Sequence, residues 1–362
     1  MRRGLTYLAY FAGLLVVGFG LGAGAQLLWQ ASRGAPAVDP GQKFFSAAER
    51  GLWEDFVRRP IPRFDDAIEA DFPNMLKAAT GFASPSGVTV QESRYDHPIQ
   101  NSIRELRVGF ARPDLKLRAL LWTHGKPATS AAVVLHGFAS TADKVLGFDK
   151  PDYMRFLGGH LYNAGSDVLA FDMPSDPVIA AAMNSRLTWH GVTVEGLWTR
   201  AVCEAMDRLD MRKRYERVVV YGVREGGRIA DLASVLCEPV SLVVVDGAVL
   251  DRRRAIWRDA QLQQLKQPIY FDQLVPIEGS SSIADFLFHS RSPKAYVNDP
   301  DEIAEIEPAL VSAFERRGLA GSRLAFVHKH RARTIPDLDQ AIRLVRQGLE
   351  GYDGFGLEAA RH

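Results

Sequence analysis

The sequence predicts an α/β domain built on a mostly parallel central sheet with helices on both faces. Short apolar runs alternate with helical segments along the second half of the chain. Such continuous apolar runs are typical of parallel strands, because neither face of a covered parallel sheet meets water. The 362 residues also have a globular composition, since 47% are hydrophobic and 24% are charged.

The beginning of the chain predicts a transmembrane helix in front of this domain. After Arg2 and Arg3 no charged residue or histidine appears until Arg33, and residues 5–29 are long enough to cross a hydrocarbon core of roughly 30 Å. A cleaved signal peptide ending at residues 23–25 (Ala-Gly-Ala) is the alternative. If the helix is retained, the arginine pair stays in the cytoplasm, so we expect a single-pass protein of the cell membrane with a periplasmic domain.

Composition and hydrophobic period divide the chain into four segments. We expect an anchor at residues 1–33, a linker and helical lead-in at 34–84, the α/β domain at 85–350 and a tail at 351–362. A period of two predicts antiparallel strands at 88–90, 103–108 and 115–122. Apolar runs predict further strands at 131–135, 167–171, 217–221, 242–245, 294–297 and 323–327. Helical spacing predicts helices at 198–209, from near 226, at 303–317 and at 337–349.

The most informative motif is the stretch VVVYGVREGGRI at residues 218–229. An apolar strand runs into small residues and directly into a helix, which is the frame of a tight turn that projects one side chain above a sheet. The projecting residue here is Arg224. In this motif the chain resembles the α/β-hydrolase family, whose nucleophile lies on such an elbow. The expected fold is therefore the α/β-hydrolase fold.

The resemblance covers roughly residues 85–350. His136, Gly137 and Phe138 follow a predicted strand and resemble the oxyanion turn of the family, where the N–H of Phe138 would hold a developing negative charge. Residues 188–197 and 291–293 are similar to the dienelactone-hydrolase and acetyl-xylan-esterase branch.

The resemblance also implies positions for an acid and a base. Asp299 and Asp301 follow the strand after which the family carries its acid, and His328 and His330 lie where it carries its base. We prefer Asp299 with His330, and Asp301 and His328 are alternatives. Ordinary solvated loop residues are the non-functional interpretation of all four.

The nucleophile position departs from the family pattern. An arginine guanidinium stays protonated and has five donors but no lone pair, so Arg224 cannot form an acyl-enzyme. A frame shifted by one residue would project Glu225, but it would put Val223 where a small residue is needed. The sequence thus predicts a pseudoenzyme that serves as a binding or scaffold component of the cell envelope. The alternative is an active carboxylic-ester hydrolase, acting on acylated carbohydrates or small esters through a non-standard nucleophile.

Charge and motifs restrict the partners. A net charge of +1 argues against nucleic acid, and the absence of metal-ligand and nucleotide motifs leads us to expect no metal and no cofactor. The two cysteines do not form a C-x-x-C pair. Because a cation is disfavoured at a helix start, Arg224 should have an acidic partner. Asp299 and Asp301 are the first candidates and Glu225 is the local one. The guanidinium also suits an anionic small molecule or an envelope protein. Three tryptophans flank the expected cleft, and core packing is predicted for them: Trp189, Trp198 and Trp257.

Overall fold

The computed structural model describes residues 72–96, 102–125, 128–174, 177–248, 289–301, 303–304, 324–329 and 335–349. The predicted anchor, His330 and most of the helix predicted at 303–317 lie outside these ranges. Within the described ranges, none of the helices combines the length and the apolar character that a membrane span needs.

Nine strands of the described residues form one sheet. They are β1 (Thr89–Arg94), β2 (Ile103–Phe110), β3 (Leu115–Trp122), β4 (Ser130–Leu135), β5 (Ser166–Phe171), β6 (Arg217–Val223), β7 (Leu242–Asp246), β8 (Lys294–Asn298) and β9 (Leu324–His328). Their order is β1-β2-β3-β5-β4-β6-β7-β8-β9. β1, β2, β3 and β5 pair antiparallel, and the pairs from β5 through β4 to β9 are parallel. The structure confirms the antiparallel strands predicted at the beginning of the domain and the parallel strands predicted after them.

Helices cover both faces of the sheet. They are α1 (Phe72–Thr80), α2 (Ala142–Leu146), α3 (Leu157–Asn163), α4 (Pro177–Thr188), α5 (Val194–Arg208), α6 (Met211–Arg214), α7 (Glu225–Leu236) and α8 (Leu338–Gln347). The apolar side chains of α5 and α7 belong to one core cluster, whereas those of α2, α3 and α8 belong to a second. Strands β4 and β5 are buried along their whole length between these layers, which explains the apolar runs that form most of each strand.

The start of α5 packs against α1, which belongs to the segment predicted as the helical lead-in. This helix begins four residues before its predicted start because the Thr193 hydroxyl caps it, accepting from the Gly196 N–H at 3.0 Å. A Cβ at Gly196 would lie 2.1 Å from the carbonyl oxygen of Thr80, so α1 ends in close backbone contact with α5. Phe72 and Leu76 of α1 are buried in the same core cluster as α5.

The prediction of core packing holds for one tryptophan and is wrong for another. Trp198 on α5 is 3% exposed, and its indole N–H donates to the carbonyl of Asp172 at 2.8 Å. Trp189 is 90% exposed because it lies in the turn after α4, where the chain leaves the helix and has no face toward the core. Trp257 lies outside the described residues.

A disulfide joins the two helices that lie beside the elbow. Cys203 of α5 pairs with Cys237, the residue directly after α7. Because α7 begins at the elbow, the bond fixes the far end of the elbow helix to its neighbour.

Replacing both cysteines with alanine should lower the free energy of unfolding by about 2–4 kcal/mol. The bond links residues 34 positions apart, so it removes conformational freedom from the unfolded chain. Urea unfolding followed by circular dichroism measures the loss. A reducing agent should shift the wild-type midpoint and leave the double variant unchanged, and equal midpoints for both proteins without reductant would contradict the expectation.

Candidate functional site

The site is built on the backbone of Arg224, between β6 and α7. This residue has φ +55° and ψ −116°, a conformation that costs a non-glycine residue about 1–3 kcal/mol. Its N–H donates to the carbonyl of Asp246 at 2.8 Å, and its carbonyl accepts from the N–H of Gly227 at 3.0 Å. Hydrogen bonds on both sides therefore hold the strained turn.

Two glycines allow the turn to approach its neighbours. A Cβ at Gly222 would lie 2.2 Å from the carbonyl oxygen of Gly226, and a Cβ at Gly226 would lie 2.2 Å from that of Leu135 at the end of β4. Any side chain at either position would displace β6, α7 or β4. The glycine frame seen in the sequence thus has a steric cause.

The turn after β4 faces the start of α7. The N–H of Phe138 donates to Oε2 of Glu225 at 3.0 Å, and the N–H of Gly137 donates to the hydroxyl of Tyr153 at 2.6 Å. Burial raises the pKa of Tyr153 above its usual value, so its hydroxyl stays neutral. The carboxylate of Glu225 therefore accepts a hydrogen bond from the N–H that, by the family resemblance, would stabilise an oxyanion.

The guanidinium of Arg224 lies between this carboxylate and an aromatic ring. Its Nη2 is 3.7 Å from Oε1 of Glu225, and its Cζ is 5.1 Å from the ring centroid of Tyr153. Among the described carboxylates, the ion-pair partner of Arg224 is thus Glu225, and not Asp299 or Asp301. Both charged side chains of the pair remain about a quarter exposed, at 27% and 26%.

His136 holds the turn after β4 and is fully buried. Its Nε2 accepts from the N–H of Met173 at 3.2 Å, so the ring proton is on Nδ1, which donates to the carbonyl of Gly137 at 2.6 Å. Burial lowers the pKa of His136, in agreement with a neutral ring. Both nitrogens are therefore engaged in fixing the turn.

The predicted acid and base positions have local structural contacts. Oδ1 of Asp299 accepts from the N–H of Asp301 at 2.9 Å, and its carbonyl accepts from the N–H of Ile303 at 3.1 Å, as at the start of a helix. Asp301 and His328 are exposed. Among the described residues, no hydrogen bond or ion pair joins these three side chains to Arg224 or Glu225. The preferred base, His330, lies outside the described residues.

Sequence reasoning missed a buried ion pair beneath the elbow. The Lys329 ammonium contacts Oδ1 of Asp246, and the hydroxyl of Tyr221 donates to Oδ2 at 2.7 Å. All three side chains are buried. Burial raises the pKa of Asp246, and the adjacent ammonium opposes this by stabilising its charged form. Lys329 directly follows β9, so a residue of the loop expected to carry the base turns inward instead.

The described residues contain no group of three or more His, Cys, Asp or Glu side chains that could hold a metal ion. Two cationic side chains of the described residues near the elbow, those of Arg224 and Lys329, each face a carboxylate.

Comparison with known proteins identifies the fold. No protein-family model and no curated protein matches this sequence. The structure is similar to a protein of Bacteroides fragilis assigned as an acetyl xylan esterase, at 13% identity and a TM-score of 0.57, covering 88% of this chain and 94% of that one. It is also similar to a glucuronoyl esterase of Sporotrichum thermophile, at 13% identity and a TM-score of 0.50, covering 80% and 84%. The chain has the α/β-hydrolase fold.

Replacing Lys329 with methionine should lower the free energy of unfolding by about 3–5 kcal/mol, because Asp246 would then be a buried charge without its counter-ion. The double variant Lys329→Met/Asp246→Asn should lose less unfolding free energy than the sum of the losses in the two single variants, because the neutral amide of asparagine needs no ammonium partner. Urea unfolding of the three variants measures this coupling.

The matched control for this cycle is Lys213→Met. Lys213 pairs with Asp210 at 3.1 Å, but its side chain is 85% exposed, so its loss should change stability by about 1 kcal/mol or less. If Lys329→Met is no more destabilising than this control, the buried pair does not stabilise the elbow.

Proposed function

We propose that this chain is a membrane-anchored, extracytoplasmic protein that binds a ligand or partner in an α/β-hydrolase cleft and performs no ester hydrolysis at its elbow. The observation that carries the proposal is the pair at the start of α7. Arg224 lies at the turn directly before this helix, where the family motif has its nucleophile, and the carboxylate of Glu225 accepts a hydrogen bond from the N–H of Phe138.

The chemistry of acyl transfer supports this proposal. The reaction needs a lone pair at the elbow, a base to accept its proton and donors for the oxyanion. A guanidinium supplies no lone pair. A carboxylate at the Phe138 N–H would repel a second negative charge there.

The alternative is a carboxylic-ester hydrolase that uses Glu225. It has the support that both similar structures bear esterase names and that a carboxylate does lie in the site. We favour it less, because Glu225 would have to attack while it blocks the oxyanion donor. Ser140, near the same turn, is fully buried, and residues 280–282 (three serines) lie outside the described residues.

Two independent features support the extracytoplasmic location. The uncharged stretch at residues 4–32 is suited to a membrane anchor. The disulfide between Cys203 and Cys237 is of a kind that persists in oxidising compartments such as the periplasm and is rare in the cytosol.

We expect the full-length protein to fractionate with membranes and to keep residues 5–29, because the apolar stretch continues past the small residues at 23–25. Membrane fractionation followed by N-terminal sequencing checks both points. A mature chain that begins at Gln26 would replace the anchored protein with a secreted one.

We expect neither fluorophosphonate labelling nor turnover of p-nitrophenyl acetate above the buffer rate for the wild-type protein, because Arg224 offers no nucleophilic oxygen. A serine esterase assayed in parallel serves as the positive control. The key comparison is Glu225→Gln: hydrolysis by the wild type that this change abolishes would establish the esterase alternative instead.

A further inference from the structure

We propose that the elbow is a carboxylate-binding site whose resident occupant is Glu225, and that an external carboxylate binds by displacing this side chain. The inference rests on the proposed function and names the ligand class of the same site. It follows from the way in which Phe138, Gly137, Arg224 and Tyr153 surround a single carboxylate.

The first support is the donor that Glu225 occupies. The N–H of Phe138 meets Oε2 at 3.0 Å, the usual length of an N–H···O hydrogen bond. The acceptor is a side chain at the end of flexible bonds, unlike the backbone carbonyls that hold the turn itself. It can therefore rotate away without disturbing the hydrogen bonds of the elbow backbone.

The second support is the space beside this donor. A Cβ on residue 137 would lie 2.1 Å from Oε2 of Glu225 and 2.9 Å from Cβ of Arg224. The carboxylate therefore fits only because residue 137 is glycine.

The third support is the incomplete pairing of the cation. A charge-assisted N–H···O bond is about 2.7–2.9 Å long, whereas Nη2 of Arg224 is 3.7 Å from Oε1 of Glu225. The backbone tethers Glu225 directly beside Arg224, and the two side chains are not within hydrogen-bond distance of each other. An external carboxylate has no such tether, so it can bind the guanidinium over Tyr153 with both oxygens while accepting from Phe138.

Glu225 is then a tethered competitor. A group attached to the site has a high effective concentration, which weakens the apparent affinity for any free ligand that needs the same donors. Its removal should strengthen binding, whereas removal of the cation should weaken it.

The experiment measures binding of carboxyl-labelled propionate by ¹³C NMR titration of the full-length protein in detergent. Propionate has the carboxylate and the two aliphatic carbons of a glutamate side chain. We expect Glu225→Ala to bind propionate at least about tenfold more tightly than the wild type, because the tethered competitor is gone. Adding Arg224→Ala should weaken binding by about tenfold or more, because a charge-assisted contact is lost.

Three controls make the result specific. Glu225→Gln keeps the shape of the side chain and should fall between the wild type and Glu225→Ala, so the comparison does not depend on one variant folding. Arg104→Ala removes a guanidinium that pairs with Glu92 at the edge of the sheet, and it should leave binding unchanged. Propionamide, which is neutral, should not bind.

Two results would overturn the inference: no gain in affinity for either Glu225 variant, or propionate binding that survives Arg224→Ala. Both are independent of catalysis, because propionate is not an ester. Ester turnover in the fluorophosphonate and p-nitrophenyl acetate assays would instead overturn the proposed function.

Discussion

The strained backbone of Arg224 determines the geometry of everything around it. A non-glycine residue keeps a φ of +55° only when the surrounding contacts prevent the backbone from adopting a more favourable conformation. Here the hydrogen bond from Arg224 to Asp246 and the closely packed Gly222 and Gly226 impose that φ. The same turn aims the first residues of α7 at the end of β4, which brings Glu225 to the N–H of Phe138.

Buried charges hold this turn from both sides of the sheet. Asp246, whose carbonyl receives the Arg224 N–H, is paired through its carboxylate with Lys329. On α7, Asp231 contacts the ammonium of Lys294 at the start of β8 and accepts from the hydroxyl of Tyr296 at 3.1 Å. Charges removed from water must remain paired, so each contact restricts the relative positions of the elbow helix and the strands.

The sequence was sufficient for the features that depend on local pattern. Apolar runs predicted β4 to β9, and the glycine spacing placed Arg224 at the turn. It was insufficient where a contact joins distant segments. Lys329 could not be recognised as a buried charge, because its partner Asp246 is 83 residues away and is brought close only by the strand order β7-β8-β9. The orientation of the Glu225 side chain likewise depends on the turn after β4, and the sequence around residue 225 gives no information about that distant turn.

In the function proposed above, the resident carboxylate accounts for an elbow without catalysis. An oxyanion site accelerates a reaction because its donors are oriented toward a charge that appears only in the transition state. Once Glu225 fills that position, the N–H of Phe138 is already satisfied and cannot favour the transition state over the ground state. What remains is a cation and an N–H donor arranged around a permanent negative charge. The proposed site would recognise an anion in its ground state, which is the requirement of binding and not of ester hydrolysis.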